Sequence, residues 1–252
     1  MPAQLTSIAP QAPPRARRMP GGLLSLLVLS LLSPASLSAF ELRGGSLVWV
    51  GAPASAVPLP QPAAADFDGD GSIDRLTIKG GLARVTSGDR NVWQSPGAWN
   101  VTEGLVTDLN RDGKPELALL VWRPYAPWPI DRFLPHGGRL LGFQDEAGAS
   151  CHLILIGWRD GSWREVWAGS ALADPLFHLA ATDIDGDGFE ELLALEGRYS
   201  VKRSTPAGSL TLWRWNGFGF NLDARWSGRF SQFQIVRSAD GHPLVLVQGL
   251  WR

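Results

Sequence analysis

A nine-residue acidic pattern occurs three times in this chain, as Asp66-Phe67-Asp68-Gly69-Asp70-Gly71-Ser72-Ile73-Asp74, Asp108-Leu109-Asn110-Arg111-Asp112-Gly113-Lys114-Pro115-Glu116 and Asp183-Ile184-Asp185-Gly186-Asp187-Gly188-Phe189-Glu190-Glu191. Oxygen-bearing side chains fill positions 1, 3, 5 and 9 of every copy. Glycine at position 6 (Gly71, Gly113, Gly188) permits a sharp turn through positive φ. Carboxylates gathered on such a turn repel one another, so the spacing is costly unless a cation lies among them. A fourth stretch keeps the turn alone: Asp240-Gly241-His242-Pro243 aligns with Asp112-Gly113-Lys114-Pro115, but its first and third positions are Val236 and Ser238.

Calcium takes six to eight oxygens at roughly 2.3–2.6 Å, and alternate side chains of a tight loop can converge on it. The predicted side-chain ligands are Asp66, Asp68, Asp70 and Asp74; Asp108, Asn110, Asp112 and Glu116; and Asp183, Asp185, Asp187 and Glu191. Position 7 would add a backbone carbonyl from Ser72, Lys114 and Phe189, so up to three Ca²⁺ ions are expected. An EF-hand is excluded, since its twelfth position must be a bidentate acid and here it is Thr77, Leu119 and Ala194. Asp-Gly turns also occur in cation-free hairpins. Three copies with the same four oxygen positions favour calcium over that reading.

The repetition extends beyond the loops. Each is preceded by a Trp in an apolar stretch (Trp49, Trp93, Trp167, Trp226), and before that by a Gly-bearing turn (Gly44-Gly45, Gly88, Gly161, Gly217). One unit reads as strand A, acidic loop, strand B, connection, strand C, Gly turn and strand D with its Trp. The chain opens on a C/D pair (Glu41 to Val50) and ends after a B strand (Pro243 to Leu250), so the two partial units make one whole. The expected fold is all-β: a small β-propeller of four-stranded antiparallel blades, closed by N-terminal strands that complete the last blade. Four blades are favoured over five; the long interval between the second and third loops is read as an insertion over residues 123–150.

These loops, with the apolar strands that follow them (Leu76-Thr77-Ile78, Leu117-Ala118-Leu119-Leu120, Leu192-Leu193-Ala194-Leu195), resemble FG-GAP/VCBS repeats, the calcium-bearing blades of integrin-α-like propellers. The resemblance covers most of residues 40–252 and implies that the loop joins the first two strands of a blade and holds calcium. It departs from the family in its poorly kept Phe-Gly and Gly-Ala-Pro flanks and in its small ring.

Residues 1–39 read as an export signal, with Arg15, Arg17 and Arg18 ahead of an apolar run from Leu23 to Leu32, which is too short to span a bilayer. Periplasm, cell surface or secretion is the expected destination, with no transmembrane segment once the signal is removed. Those three arginines leave with the signal, and the remaining 20 basic against 24 acidic side chains argue against a nucleic-acid partner. The single Cys151 cannot form an internal disulfide, which leaves metal ions as the staple of an exported chain. It opens an apolar run and is read as a buried thiol.

In such blades the acidic loops share one face, and long B–C connections share the other. The expected binding surface on that second face comprises Trp122, Tyr125, Trp128, Arg132, His136, Arg198, Lys202 and Arg203, suited to a glycan, an anionic ligand or a partner protein. His136, His152, His178 and His242 show no metal-ligand spacing, and no nucleophile elbow, phosphate loop or dinucleotide fingerprint is present. The expected role is a binding or scaffold module. The alternative is a calcium-stabilised hydrolase or lyase working on glycans or esters from the insertion face.

Overall fold

The apolar stretches between Gly turns form strands, including the Leu- and Ala-rich Glu191–Glu196, where pairing on both sides overrides local propensity. A computed structural model describes residues 37–43, 46–51, 53, 56–126 and 142–251. In chain order the strands are β1 (Leu37–Arg43), β2 (Ser46–Trp49), β3 (Val57–Pro58), β4 (Ala64–Ala65), β5 (Asp74–Lys79), β6 (Leu82–Ser87), β7 (Arg90–Gln94) and β8 (Asn100–Thr107). They continue with β9 (Glu116–Pro124), β10 (Ala149–Arg159), β11 (Ser162–Ala168), β12 (Leu176–Thr182), β13 (Glu191–Glu196), β14 (Ala207–Trp215), β15 (Phe220–Arg237) and β16 (Pro243–Trp251). Among the described residues no helix is long and apolar enough to cross a membrane.

Every sheet is antiparallel. β4-β5-β6-β7 and β8-β9-β10-β11 are four-stranded meanders, each containing one acidic loop between its first two strands. The third sheet runs β12-β13-β14-β15-β16-β1-β2, with β3 paired to the end of β15. It consists of two four-stranded halves that share β15. Residues 220–230 pair with β14, and residues 228–237 pair with β16. Strand β15 is thus the last strand of one unit and the first of the next, and the N-terminal β1 and β2 complete the latter, with Leu37 to Phe40 opposite Gln248 to Val245.

Leu37, Ser38 and Ala39 fall on the signal side of the expected boundary at residue 39, yet they are strand residues here. Ser38 and Ala39 are buried, and Ala39 packs with Val236, Leu244 and Leu246. A boundary at residue 39 would fall inside β1.

The second sheet has two buried faces. On β9, Leu117, Leu119 and Val121 join the core shared with the first sheet, while Ala118, Leu120 and Trp122 join the core shared with the third. Strand β10 divides its side chains the same way: Ile154 and Ile156 face one core, and Cys151, Leu153 and Leu155 the other. This double burial explains the unbroken apolar runs. The first sheet alternates instead: Leu76, Ala83 and Val85 are buried, and Arg75, Thr77 and Arg84 are in water.

Residues 57–65 touch the first strands of three units (β15, β12 and β8) and end as β4, the first strand of the remaining one. Val57 and Pro58 pair with β15, Gln61 accepts a hydrogen bond from the Ala181 N–H of β12 at 2.7 Å, the Pro62 carbonyl accepts one from Val106 of β8 at 2.9 Å, and Ala64 pairs within the first sheet. A further tie crosses between sheets where Glu103 of β8 accepts from Leu179 N–H at 2.7 Å and pairs with His178 Nδ1 at 2.5 Å.

Phe40→Ala should cost about 3–5 kcal/mol, because Phe40 is 2% exposed and packs against Trp226 in the central core; a urea titration measures this. Glu103 holds the His178 imidazolium above its ordinary pKa through their hydrogen bond. Its contribution to stability should be complete below about pH 6.5 and fade as pH rises through the elevated folded value. Urea midpoints of the wild type should therefore fall relative to those of His178→Gln between pH 5.5 and 8.5.

Candidate metal centres

The three acidic loops share most of their wiring; they differ in that Oδ1 of Asp66 and of Asp183 accepts from the position 4 N–H, whereas Oδ1 of Asp108 accepts from the position 5 N–H. The position 1 carboxylate accepts from the position 6 glycine N–H (Asp66 from Gly71 at 2.9 Å, Asp108 from Gly113 at 2.9 Å, Asp183 from Gly188 at 3.0 Å). Position 3 accepts from the N–H of position 5, and position 5 from that of position 7. Positive φ at Gly71 (85°), Gly113 (77°) and Gly188 (89°) makes this turn. Position 4 is left-handed too, at Gly69, Arg111 and Gly186. The apolar position 2 residue (Phe67, Leu109, Ile184) is buried and anchors the loop to the core.

Asp66, Asp68 and Asp70 form the first cluster, Asp108, Asp112 and Glu116 the second, and Asp183, Asp185 and Glu191 the third. Within each cluster, one ligand atom per residue lies within 4.8 Å of the others, so each cluster could hold a metal ion. Asn110 and Asp187 lie in the same turns, through their bonds to the N–H groups of Asp112 and Phe189. Asp74 is buried at the start of β5, outside the tight group of the first loop. At Ser72, Lys114 and Phe189 the N–H groups donate to position 5, which is part of the turn's own wiring.

Position 9 is the most demanding. Glu116 and Glu191 are each 0% exposed. Glu116 Oε1 accepts from Asn110 N–H at 3.1 Å, while Oε2 is buried with no hydrogen-bond donor. Burial, reinforced by Asp108 and Asp112, pushes its carboxyl up to about 8. Burial, with Asp185 and Asp187 nearby, pushes Glu191 up to about 7. A cation among these oxygens would relieve the repulsion and favour the charged forms.

Arginines that sequence reasoning missed reach two of the loops. Arg159, at the end of β10, lies 2.6 Å from Asp112 and 3.5 Å from Glu116. Arg214, on β14, lies 2.9 Å from Asp185, 3.7 Å from Asp187 and 3.8 Å from Glu191. Trp-Arg before a Gly turn, in Trp158-Arg159 and Trp213-Arg214, was the available signal. Among the described residues no arginine or lysine forms an ion pair with the first loop.

The second and third loops are also joined to each other. Arg111 donates to Glu191 at 3.1 Å and stacks on the Phe189 ring at 4.7 Å, and Glu190 accepts from Thr107 Oγ1 at 2.5 Å and Asp108 N–H at 3.1 Å. The fourth turn differs as expected. Ser238 bonds Asp240 and the His242 carbonyl, Gly241 has φ 93°, and Ala239 at position 4 is not left-handed.

On the expected binding face, Trp122 is only 3% exposed and belongs to the core, so it does not offer its ring to a ligand. The Arg203 guanidinium covers that ring at 4.2 Å, and Tyr199 meets its edge. Arg203, Lys202 and Arg198 lie in the connection between β13 and β14, and Tyr125 follows β9 half-buried. Trp128, Arg132 and His136 lie outside the described residues. His152 is buried with both ring nitrogens satisfied, by Ser150 Oγ and the Gly169 carbonyl at 2.9 Å each. The Cys151 thiol is fully buried, which pushes it up to about 12.

No family model matches the chain, and comparison with curated proteins and with solved structures gives no match.

Arg111→Ala should destabilise the fold by about 1–3 kcal/mol in a denaturant titration, since it strips a buried carboxylate of a charged donor and breaks one of the links between the loops. An unchanged midpoint would mean that the Arg111–Glu191 contact adds nothing to stability.

Proposed function

We propose that this chain is an exported, calcium-stapled β-propeller of the FG-GAP/VCBS type, with four blades, that serves as a binding or scaffold module outside the cytoplasm. The observation that carries the reading is the recurrence of one loop wiring at three hairpins, two of them closed by a fully buried glutamate facing two aspartates. Carboxylate-rich oxygen sets of this kind suit a hard cation, and calcium tolerates the irregular, flexible geometry that such loops provide.

Four antiparallel four-stranded units, with one segment touching the first strands of three of them and running into the first strand of the other, support a ring about a common axis. The first and fourth units meet at its seam. The export reading is supported by the basic residues and apolar run of the first 39 residues. In such a ring the metal loops and the long connections between second and third strands occupy opposite faces. Arg198, Lys202 and Arg203, with Tyr125 at the edge, favour a glycan, an anionic ligand or a protein partner on the second face.

Calcium that binds only the folded chain stabilises it by mass action, about 4 kcal/mol for each site held at a thousandfold excess over Kd. Stripping the purified chain with chelator should lower its Tm by on the order of 10 °C, and calcium rather than magnesium should restore it. Metal analysis should find up to three calcium ions per chain. Protein that carries no calcium and melts identically with and without chelator would overturn the proposal.

A further inference from the structure

We propose that Arg159 is the resident counter-cation of the second acidic loop, and that a divalent ion binds there only by displacing its guanidinium. The inference rests on the calcium reading above and concerns how that one site is regulated.

The guanidinium has a built seat. It comes from the third strand of the same sheet, its side chain is only 15% exposed, and Nη2 lies 2.6 Å from Asp112 Oδ2. Nη1 donates to the Trp158 carbonyl at 2.9 Å. Beneath it the strand is bare: a Cβ on Gly157 would lie 2.8 Å from Arg159 Nη1 and 3.2 Å from Cζ. Glycine at 157 is what lets the side chain fold back along β10 toward the loop.

The seat is also incomplete. Arg159 satisfies Asp112 but stands 3.5 Å from Glu116 Oε2, which is fully buried and has no hydrogen-bond donor. A planar fork directed at Asp112 cannot also fill the space between Asp108, Asp112 and Glu116. A spherical ion at about 2.3–2.6 Å from each oxygen can. The two cations share the Asp112 carboxylate, and their mutual repulsion in a half-buried site makes their occupancy exclusive.

The third loop arrives at a related arrangement by another register. Glu116 pairs with Gly157, which puts Arg159 two residues further along its strand, whereas Leu192 pairs with Trp213, which puts Arg214 opposite Glu191. Arg214 also bonds Asp223 at 2.9 Å and so has an alternative partner within its own sheet. Arg159 is therefore the sharper test.

Calcium titration calorimetry on the full chain, stripped of metal, compares wild type with Arg159→Gln and Gly157→Ala. Gly157→Ala dislodges the same guanidinium without removing its charge, and it serves in place of Arg159→Gln if that variant fails to fold. Removing the competitor should tighten one site by roughly tenfold in either variant, the worth of one charge-assisted hydrogen bond. Adding Asp108→Asn should abolish the tightened site. Wild-type binding that neither folded variant tightens overturns this proposal and leaves the calcium reading standing; absence of binding by wild type and both variants overturns the two together.

Discussion

A carboxylate buried where each acidic loop becomes a strand is the constraint on which the rest of the structure depends. Asp74, Glu116 and Glu191 are the first residues of β5, β9 and β13, and all three are buried. A strand's side chains alternate between faces, so fixing the first residue fixes the phase of all that follow. With Glu116 held by Asn110 N–H, Leu117, Leu119 and Val121 must face the first sheet, and Ala118, Leu120 and Trp122 the third. A slip of one residue would exchange the two cores. The loop thus sets the register of the most buried strands in the molecule.

The three loops share a backbone but not an electrostatic environment. The first offers Asp66, Asp68 and Asp70 largely to water, with backbone N–H groups as their partners. The second and third draw guanidinium groups from their own sheets and trade Arg111 and Glu190 between them. An arginine contributes charge without demanding a coordination sphere, and it is never deprotonated. It cannot replace an ion held by four or more oxygens, because its donors lie in one plane. A loop whose carboxylates could be met by either is poised between two ways of being neutral.

Much of this was legible in the sequence, because the repeat is local. Oxygen positions, turn glycines and the Trp on each fourth strand all recur at short spacing, and Trp49, Trp93, Trp167 and Trp226 lie in β2, β7, β11 and β15 as the unit required. The completion of a C-terminal unit by N-terminal strands followed from counting strands at the two ends. What escaped depends on contacts distant in sequence. Arg159 reaches Asp112 across 47 residues, Arg111 reaches Glu191 across 80, and neither pairing has a periodicity to betray it. Trp122 was read as a surface aromatic because it borders a long connection, yet its place in the strand's alternation with Ala118 and Leu120 put it in the core. The sharing of β15 was hidden because no turn residues were needed where one unit passes into the next.

The contrast between β5 and β9 carries the architecture one step further. Asp74-Arg75-Leu76-Thr77-Ile78-Lys79 alternates, while Leu117-Ala118-Leu119-Leu120-Val121 does not, and the burial of each strand follows its pattern. Alternation marks a sheet with one face in water; an unbroken apolar run marks a sheet enclosed on both sides. The second sheet is therefore the middle of the stack, and the first presents Arg75, Thr77 and Arg84 outward. Residues 57–59 hydrogen-bond to the end of β15, and Leu59 also packs against the core to which Phe230 and Ile235 of that strand belong. How firmly the chain segment before β4 is pinned therefore decides how firmly the first sheet is held. Gln61 on β12 and Pro62 on β8 supply that pin from the two best-buried sheets, which lets a charged strand face water without freeing the unit it belongs to.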